Sequence, residues 1–162
     1  YRPIGINRNC QLAVLQIRPY VPQSHRGVQW MSFGSNPFNA LMPFFTNVRE
    51  APEYLANTTA RVSTDSFYWA NRLIAALADA RFRDNENAID RYREKVGAFG
   101  HKLIHETDEA LACCPEEDVQ AVLAAANLRM ADYLREQTDT LLSKVLYTTS
   151  LAMKNHFAMS DN

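Results

Sequence analysis

Two histidines four positions apart have the spacing in this sequence that most resembles a metal site. His101 and His105 lie in HKLIHE, and in a helix that spacing brings both imidazoles to one face. The stretch lacks the glutamate between the histidines that a zinc-protease motif needs. Glu106, Asp108 and Glu109 are equally typical of a solvated helix face. We therefore predict no specific metal site and no cofactor.

The cysteines offer a second possible chemistry, since a thiolate is a strong nucleophile. The sequence has three, Cys10, Cys113 and Cys114, without CxxC spacing, so neither a zinc site nor a disulfide framework is indicated. Cys113 and Cys114 are adjacent in an acidic stretch, where no positive charge would stabilise a thiolate. Cys10 falls in a predicted strand and has no sequence neighbour that could act as its base. We predict structural thiols, with Cys10 a small buried apolar residue.

Amide and guanidinium groups beside a turn are the remaining candidates. Asn36 and Asn39 flank the turn in GSNPFN, and an amide at a strand end can donate to a developing oxyanion. Alternatively, Asn36 only shapes the turn and Asn39 only starts the next strand. Arg72 follows three aromatic residues in SFYWANR, a cluster that can line an acyl or peptide pocket or simply pack in the core. We take Asn36, Asn39 and Arg72 as candidates for lining a substrate pocket.

Composition limits the class of protein that these residues serve. The 162 residues, 47% of them hydrophobic, suit one domain with a real core. Seventeen basic and eighteen acidic residues leave a net charge of −1, which argues against a nucleic-acid partner or an anionic membrane surface. No apolar run approaches the roughly 18 residues that span a bilayer, and the start lacks the pattern of a signal peptide. We expect no membrane partner and a cytoplasmic location, with secretion of a longer parent left open.

The first part of the chain, 1–60, is rich in strands. Apolar runs at 10–18 and 27–33 predict two strands, and NALMPFF at 39–45 predicts a third. Between them Gly34 supplies a positive φ, and Pro43 marks an edge position or a bulge because it lacks an N–H. Apolar side chains alternate onto both faces of the first strand. We therefore predict a sheet that is covered on both faces.

The second part, 61–162, is helical. We predict a helix at 63–82 that is capped by Ser63, Thr64 or Asp65, a second at 85–114 weakened by Gly97 and Gly100, and a third from Pro115 that exceeds thirty residues. The predicted buried stripes are Ala70, Leu73 and Leu77 with Trp69 and Ile74 beside them; Ile89, Tyr92, Val96, Phe99, Leu103 and Ala110; and Val119, Leu123, Ala126, Met130, Leu134, Leu141 and Val145. The last two helices form a hairpin that can cover one face of the sheet.

Three blocks in order carry a family resemblance. RPIGINRNCQLAVLQIRP, GVQWMSFGSNPFNALMPFFTN and STDSFYWANRLIAALAD resemble the later part of the dipeptidase A family of cysteine peptidases, which are N-terminal-nucleophile hydrolases. The similarity runs from Arg2 to Phe82 and is looser in the helices that follow. It implies an α+β fold that is part of a four-layer αββα sandwich, an N-terminal cysteine exposed by autocatalysis, and hydrolysis of dipeptides by that cysteine.

One departure from the family pattern limits what this chain can do. The family's mature chain opens with the nucleophilic cysteine, whereas this sequence has Tyr1, and its first cysteine is Cys10. An N-terminal nucleophile needs its thiol and its own α-amino group together. We therefore predict that 1–162 is the C-terminal portion of a single hydrolase domain, with the nucleophile upstream, and that the isolated chain is inactive.

Two other functions stay open. One is an amidohydrolase of the penicillin V acylase or bile-salt hydrolase type, which shares the fold and cleaves a non-peptide amide. The other is a helical interaction module without catalysis. In either hydrolase the dipeptide or amide would be a substrate of the full-length enzyme. Because the strands are apolar on both sides and the helices lie together in sequence, we also expect the chain to self-associate or form a homo-oligomer.

Overall fold

A computed structural model describes residues 9–153 of the chain. In this part a three-stranded antiparallel sheet in the order β1-β2-β3 precedes a set of helices, which makes the fold α+β. The elements are β1 (Gln11–Ile17), β2 (Gly27–Phe33), β3 (Met42–Phe45), α1 (Glu53–Ala56), α2 (Phe67–Ala78), α3 (Phe82–Leu111) and α4 (Val119–Leu151), with 3₁₀ turns at Gln23–His25, Asn36–Phe38, Asp79–Arg81 and Glu116–Asp118.

The turn between β2 and β3 contains the predicted positive-φ glycine. Gly34 has φ 82°, and a Cβ built on it would lie 3.2 Å from the Cβ of Asn71, so both conformation and space favour glycine. β3 begins at Met42, so the prediction that Asn39 starts a strand is wrong. Asn39 instead follows the 3₁₀ turn, where its side chain bonds to neighbouring main-chain groups.

The predicted edge position of Pro43 is confirmed within the described sheet. β3 lies at one edge, pairing Pro43 with Trp30 on β2. The outer side of β3 is closed by α4, because the side-chain amide of Asn127 bonds both main-chain groups of Phe45. Phe45 N–H donates to Asn127 Oδ1 at 2.8 Å, and Asn127 Nδ2 donates to the Phe45 carbonyl at 3.0 Å. A helix side chain thus takes the place of a neighbouring strand.

The long helices pack through the stripes that their periodicity predicts, with one exception. All seven predicted residues of α4 are buried, and the helix runs for 33 residues. On α3, Ala110 is exposed, so its predicted place in the stripe is wrong. The apolar face there continues through Thr107 and Leu111, one position further around the helix. Gly100 belongs to this face, since a Cβ there would lie 2.5 Å from Cδ of Pro43.

α2 differs from its prediction in both its start and its buried face. Its N-cap is Ser66 rather than Ser63, Thr64 or Asp65, because the Ser63 hydroxyl is used in a preceding turn, accepting from the Asp65 N–H at 3.2 Å. Leu73 is 36% exposed, so its predicted place in the stripe is wrong, whereas Ala70 and Ile74 are buried as predicted. The buried residues are Phe67, Ala70, Asn71, Ile74, Ala75 and Ala78, a face rotated toward the sheet and α4.

Cover on both faces of the sheet, as predicted, is found at β3 but not at β1. Every residue of β3 is buried, whereas Leu15 and Ile17 on β1 are 75% and 74% exposed. The helices lie toward the β3 side and leave β1 open within residues 9–153. Among these same residues there is no helix with the length and hydropathy of a membrane span.

Candidate functional site

A groove of about 910 Å³ runs between the β1–β2 hairpin and α3, and its size is typical of small-ligand pockets. Its walls are mostly apolar, with polar groups at both ends: Asn36, Asn39 and Arg93 near the β2–β3 turn, and Gln16 and His101 at the far end. The lining residues are Leu12, Val14, Leu15, Gln16, Ile17, Trp30, Ser32, Asn36, Asn39, Leu41, Arg93, Gly97 and His101. Two of the three predicted pocket residues therefore lie here.

Asn39 is buried at the turn end of the groove, and both its amide oxygen and its amide nitrogen are bonded within the protein. Its Oδ1 accepts from the Ala40 N–H at 2.7 Å and from Nδ2 of Asn71 at 3.2 Å, while its Nδ2 donates to the Phe33 carbonyl. Its oxygen is thus doubly bonded, and one of the two Nδ2 N–H donors is used within the described residues. Asn39 therefore holds the turn in place and, through Asn71, fixes it against α2.

Asn36 has the opposite character. Both atoms of its side-chain amide are buried, and within the described part of the chain neither forms a hydrogen bond. An unpaired buried amide is costly, and one that lies at the wall of a groove is poised to bond a donor and an acceptor placed there. The structure thus separates two asparagines that the sequence treated alike.

Arg93 on α3 connects the helix to the same turn. Its Nε donates to the Asn39 carbonyl at 3.0 Å, and its Nη2 donates to the carbonyls of Asn36, at 3.2 Å, and Pro37. Its Nη1 pairs with Asp90 at 3.1 Å. One guanidinium thus bonds three carbonyls of the turn and fixes the turn against α3. The shape of this end of the groove therefore depends on Arg93.

The sequence prediction missed Arg93 because its partners lie more than fifty positions earlier. One signal was present: Arg93 is four residues after Ile89 and three before Val96, so it interrupts the apolar face of α3 with a charge. A charged residue at such a position on a packed face needs partners from the neighbouring layer. Those partners are the turn carbonyls.

Arg72, the third predicted pocket residue, lies elsewhere. It faces a smaller depression of about 510 Å³ whose lining includes Ser35, Pro37, Asp79 and Phe82. Among the described residues no hydrogen bond or ion pair joins the Arg72 side chain to another group. The structure therefore places Arg72 on the other side of the turn from the groove, with its guanidinium exposed.

The two histidines of the HKLIHE stretch are turned to different partners. His101 contacts Trp30 at the far end of the groove, with ring centroids 4.8 Å apart and ring planes tilted by 47°, and the indole N–H of Trp30 donates to Gln16. His105 is exposed and pairs with Glu109 at 3.4 Å. In residues 9–153 no three His, Cys, Asp or Glu side chains are grouped as metal ligands would be.

A buried polar cluster joins the β1–β2 connection to α3. Arg18, only 1% exposed, donates to Asp108 at 2.5 Å and to the His25 carbonyl at 2.6 Å. His25 Nδ1 lies 3.2 Å from the Ser24 hydroxyl, and its Nε2 lies 3.8 Å from Asp108 Oδ1. Burial lowers the pKa of His25, and Arg18 lowers it further while Asp108 opposes the shift.

This cluster contains a serine, a histidine and an aspartate but lacks the geometry of a catalytic triad. The 3.8 Å between His25 Nε2 and Asp108 Oδ1 exceeds a hydrogen bond, and the other carboxylate oxygen, Oδ2, is bonded to Arg18. The cluster therefore acts as a structural link between the loop and α3.

The cysteines lie outside the groove. Cys10 is exposed in the bend before β1, so its prediction as a buried strand residue is wrong; the strand begins one residue later, at Gln11. Cys113 is exposed after the end of α3, and the Cys114 thiol donates to the Pro115 carbonyl. Within the described residues, then, the groove brings together amide, guanidinium and imidazole groups but no thiol.

Comparison with known proteins identifies relatives across almost the whole chain. Residues 1–95 match peptidase family C69. A protein named dipeptidase from Bifidobacterium longum (strain NCC 2705) is 49% identical over 99% of this chain and 37% of its own length. A probable dipeptidase A from Streptococcus pyogenes serotype M3 (strain SSI-1) is 47% identical over 99% of this chain and 34% of its own length, and dipeptidase A of Lactobacillus helveticus is 40% identical over 90% and 31%. The chain thus spans about a third of the length of these curated relatives.

Proposed function

The chain belongs to peptidase family C69, and we propose that it is a portion of a longer cysteine-type dipeptidase that hydrolyses dipeptides. The observation that carries the proposal is the 40–49% sequence identity to proteins named dipeptidase, dipeptidase A or probable dipeptidase A. Each of these proteins is about three times as long as this chain. These names favour a peptidase over an acylase of non-peptide amides and over a module without catalysis.

In this proposal the nucleophile is an N-terminal cysteine that lies upstream of these 162 residues. Amide hydrolysis by such an enzyme needs a thiol, an adjacent amine and oxyanion donors in one pocket. The groove offers donors but no thiol among its described lining residues. The three strands with α3 and α4 would then form one sheet and one helical layer of an αββα sandwich, and the remaining layers would come from the rest of the parent.

Within that parent, the turn end of the groove would supply one wall of the substrate site. Asn36 is the best candidate for contact with substrate, because its amide has no hydrogen-bond partner in residues 9–153. Asn39 and Arg93 would act as positioning residues, since their polar groups already bond the turn. Arg72 could bind a substrate carboxylate only if the substrate extends to the other side of the turn.

The test is an assay of the full-length parent and of the 162-residue chain on a panel of dipeptides and acylated amides. We expect the parent to hydrolyse dipeptides and to lose activity when its N-terminal cysteine is replaced, while the isolated chain is inactive. Cys10→Ser in the parent should leave turnover unchanged. Turnover by the purified chain that disappears with Cys10→Ser would refute the proposal, and hydrolysis of acylated amides alone would favour the acylase.

The substrate wall is tested separately in the parent. Asn36→Ala should raise KM for dipeptides about tenfold, the usual scale for one or two lost hydrogen bonds. Asn47→Ala, which removes an exposed amide bonded to the Ser24 carbonyl, is the matched control and should leave KM unchanged. An unaltered KM for Asn36→Ala would exclude Asn36 from the site.

A further inference from the structure

β1 has the composition of a strand from the interior of a sheet. Its seven residues, QLAVLQI, include neither a charged residue nor a proline. Edge strands of natural proteins are usually protected by charges, prolines or bulges, because their unpaired main-chain groups otherwise pair with other chains. Yet in the described sheet β1 stands at the edge, with β2 on its inner side only.

The side chains of β1 are open on both faces. Successive residues of a strand point to opposite sides, so Val14 lies on one face and Leu15 and Ile17 on the other. Val14 is 50% exposed, Leu15 75% and Ile17 74%. An ordinary edge strand of a two-layer protein would bury one of these faces. Within residues 9–153, β1 therefore has no neighbour along its outer edge and only partial cover on its faces.

The opposite edge of the same sheet, β3, is buried and has main-chain groups bonded by a neighbouring helix. β3 is buried throughout, and Asn127 of α4 bonds the main chain of Phe45. The helices that follow the sheet in sequence have closed the β3 side. The described residues supply nothing equivalent for β1.

We infer that β1 takes a further strand along its outer edge, contributed by the part of the parent polypeptide outside these 162 residues. The relatives reach about three times the length of this chain, so a parent of their size contains ample chain to supply it. Main-chain pairing with an extended segment of about seven residues would satisfy the edge, and apolar side chains on that segment would extend both faces of β1. The inference rests on the proposed longer parent but not on its being a peptidase.

Cysteine labelling in the parent and in the isolated chain tests this occupant. Leu15→Cys is introduced into both proteins in a Cys10→Ser background, and its rate of alkylation by a maleimide is followed by peptide mass mapping, which separates it from Cys113 and Cys114. Val62→Cys is the matched control, because Val62 is 63% exposed and lies in the loop before α2. We expect labelling at position 15 to be at least tenfold slower in the parent than in dilute isolated chain, and labelling at position 62 to be equal in the two.

Hydrogen exchange of the β1 amides provides a second measurement that needs no substitution. In the parent every amide of residues 11–17 should be protected, whereas in the dilute chain those facing outward should exchange at least tenfold faster. Equal labelling and equal exchange in the two proteins would overturn the inference. Protection already present in the dilute chain, and lost on deletion of residues 1–8, would assign the edge to the chain's own first residues instead. Neither measurement depends on catalysis, so failure of the proposed dipeptidase activity would be recognised separately.

Discussion

At Asn127 a single side chain completes the hydrogen bonding of a strand that has no neighbour on that side. Its amide presents one acceptor and one donor, and Phe45 presents the matching N–H and carbonyl. The bonds join residues 82 positions apart and lie in the buried part of the structure. Asn36 has the same two groups and, among the residues that the structure describes, no such partners. Asn127 is therefore a satisfied amide, whereas the amide of Asn36 is available for binding.

Asn127→Ala should lower the free energy of unfolding by about 2–4 kcal/mol, because two buried main-chain groups of Phe45 would lose their partners. Urea unfolding at equilibrium measures the change. Asn47→Ala, which removes an exposed bond, should cost less than about 0.5 kcal/mol. A similar small cost for both variants would mean that water replaces Asn127 at the β3 edge.

His25 should make the protein less stable in acid. Its folded pKa is depressed, chiefly by burial, below the value of 6.5 expected in the unfolded chain. The unfolded state then binds the proton more tightly, so stability is full above pH 6.5 and is lost as the pH falls through the folded pKa. We expect the free energy of unfolding to decrease more steeply between about pH 7 and pH 5 in the wild type than in His25→Gln. Parallel pH profiles would contradict this assignment.

The state of a single residue could be predicted from the sequence only where its contacts are to residues nearby in the chain. Gly34 was predictable because its turn conformation is a property of a few adjacent residues. The different states of Asn36 and Asn39, and the involvement of Arg93, depend on α2 and α3, which lie more than thirty positions away. Sequence spacing within the turn carries no information about that contact.

At the scale of elements, the close approach of α3 to β3 is set by a glycine. The helix contacts the ring of Pro43 at Gly100, where there is no room for a Cβ. A Cβ at Gly97, one turn earlier, would meet no neighbouring atom within 4 Å. The sequence prediction that both glycines merely weaken the helix is therefore incomplete. One of them is needed for packing between layers.

The two glycines provide a matched pair of substitutions. Gly100→Ala should destabilise by about 1–3 kcal/mol, because the proline ring is rigid and the helix must shift away from the sheet. Gly97→Ala should instead stabilise by about 0.5–1 kcal/mol, since alanine is the better helix former and meets no obstacle. Thermal and urea unfolding of both variants measure the difference. Stabilisation by both substitutions would show that the helix is free to move.

The buried face of a helix was predictable where the periodic pattern extends over many turns, and it was not predictable for a short helix. α4 has nine turns of consistent pattern, and all its predicted buried residues are buried. α2 has only 12 residues that are apolar on several sides, so periodicity alone could not choose the buried face. The contact of α2 with α4 and the sheet makes that choice.

For the whole molecule, the open β1 edge determines whether the isolated chain self-associates. Leu15, Ile17 and Tyr20 are each at least 74% exposed near one edge of the sheet. Their burial against another surface would be favourable at about 25 cal/mol per Å² of apolar area. We therefore propose that the isolated chain self-associates, a property that the rest of the parent would suppress by covering β1.

Sedimentation over a range of concentrations should detect this association, and a hydrophobic dye should bind the dilute chain. Leu15→Lys places a charge on the open face and should weaken association at least tenfold without unfolding the monomer. Val62→Lys, at another exposed apolar position, should leave association unchanged. A strictly monomeric species at high concentration, with no dye binding, would refute the proposal.

The amide of Asn127 also determines the symmetry of such an association. A sheet that is open at both edges can add copies without limit and grow into a fibre, whereas in residues 9–153 this sheet is blocked at β3 by Asn127 and open at β1. Two copies that pair β1 to β1 antiparallel are related by a two-fold axis, and each then has no edge left to offer. Assembly through strand pairing should therefore stop at a closed dimer with a six-stranded sheet.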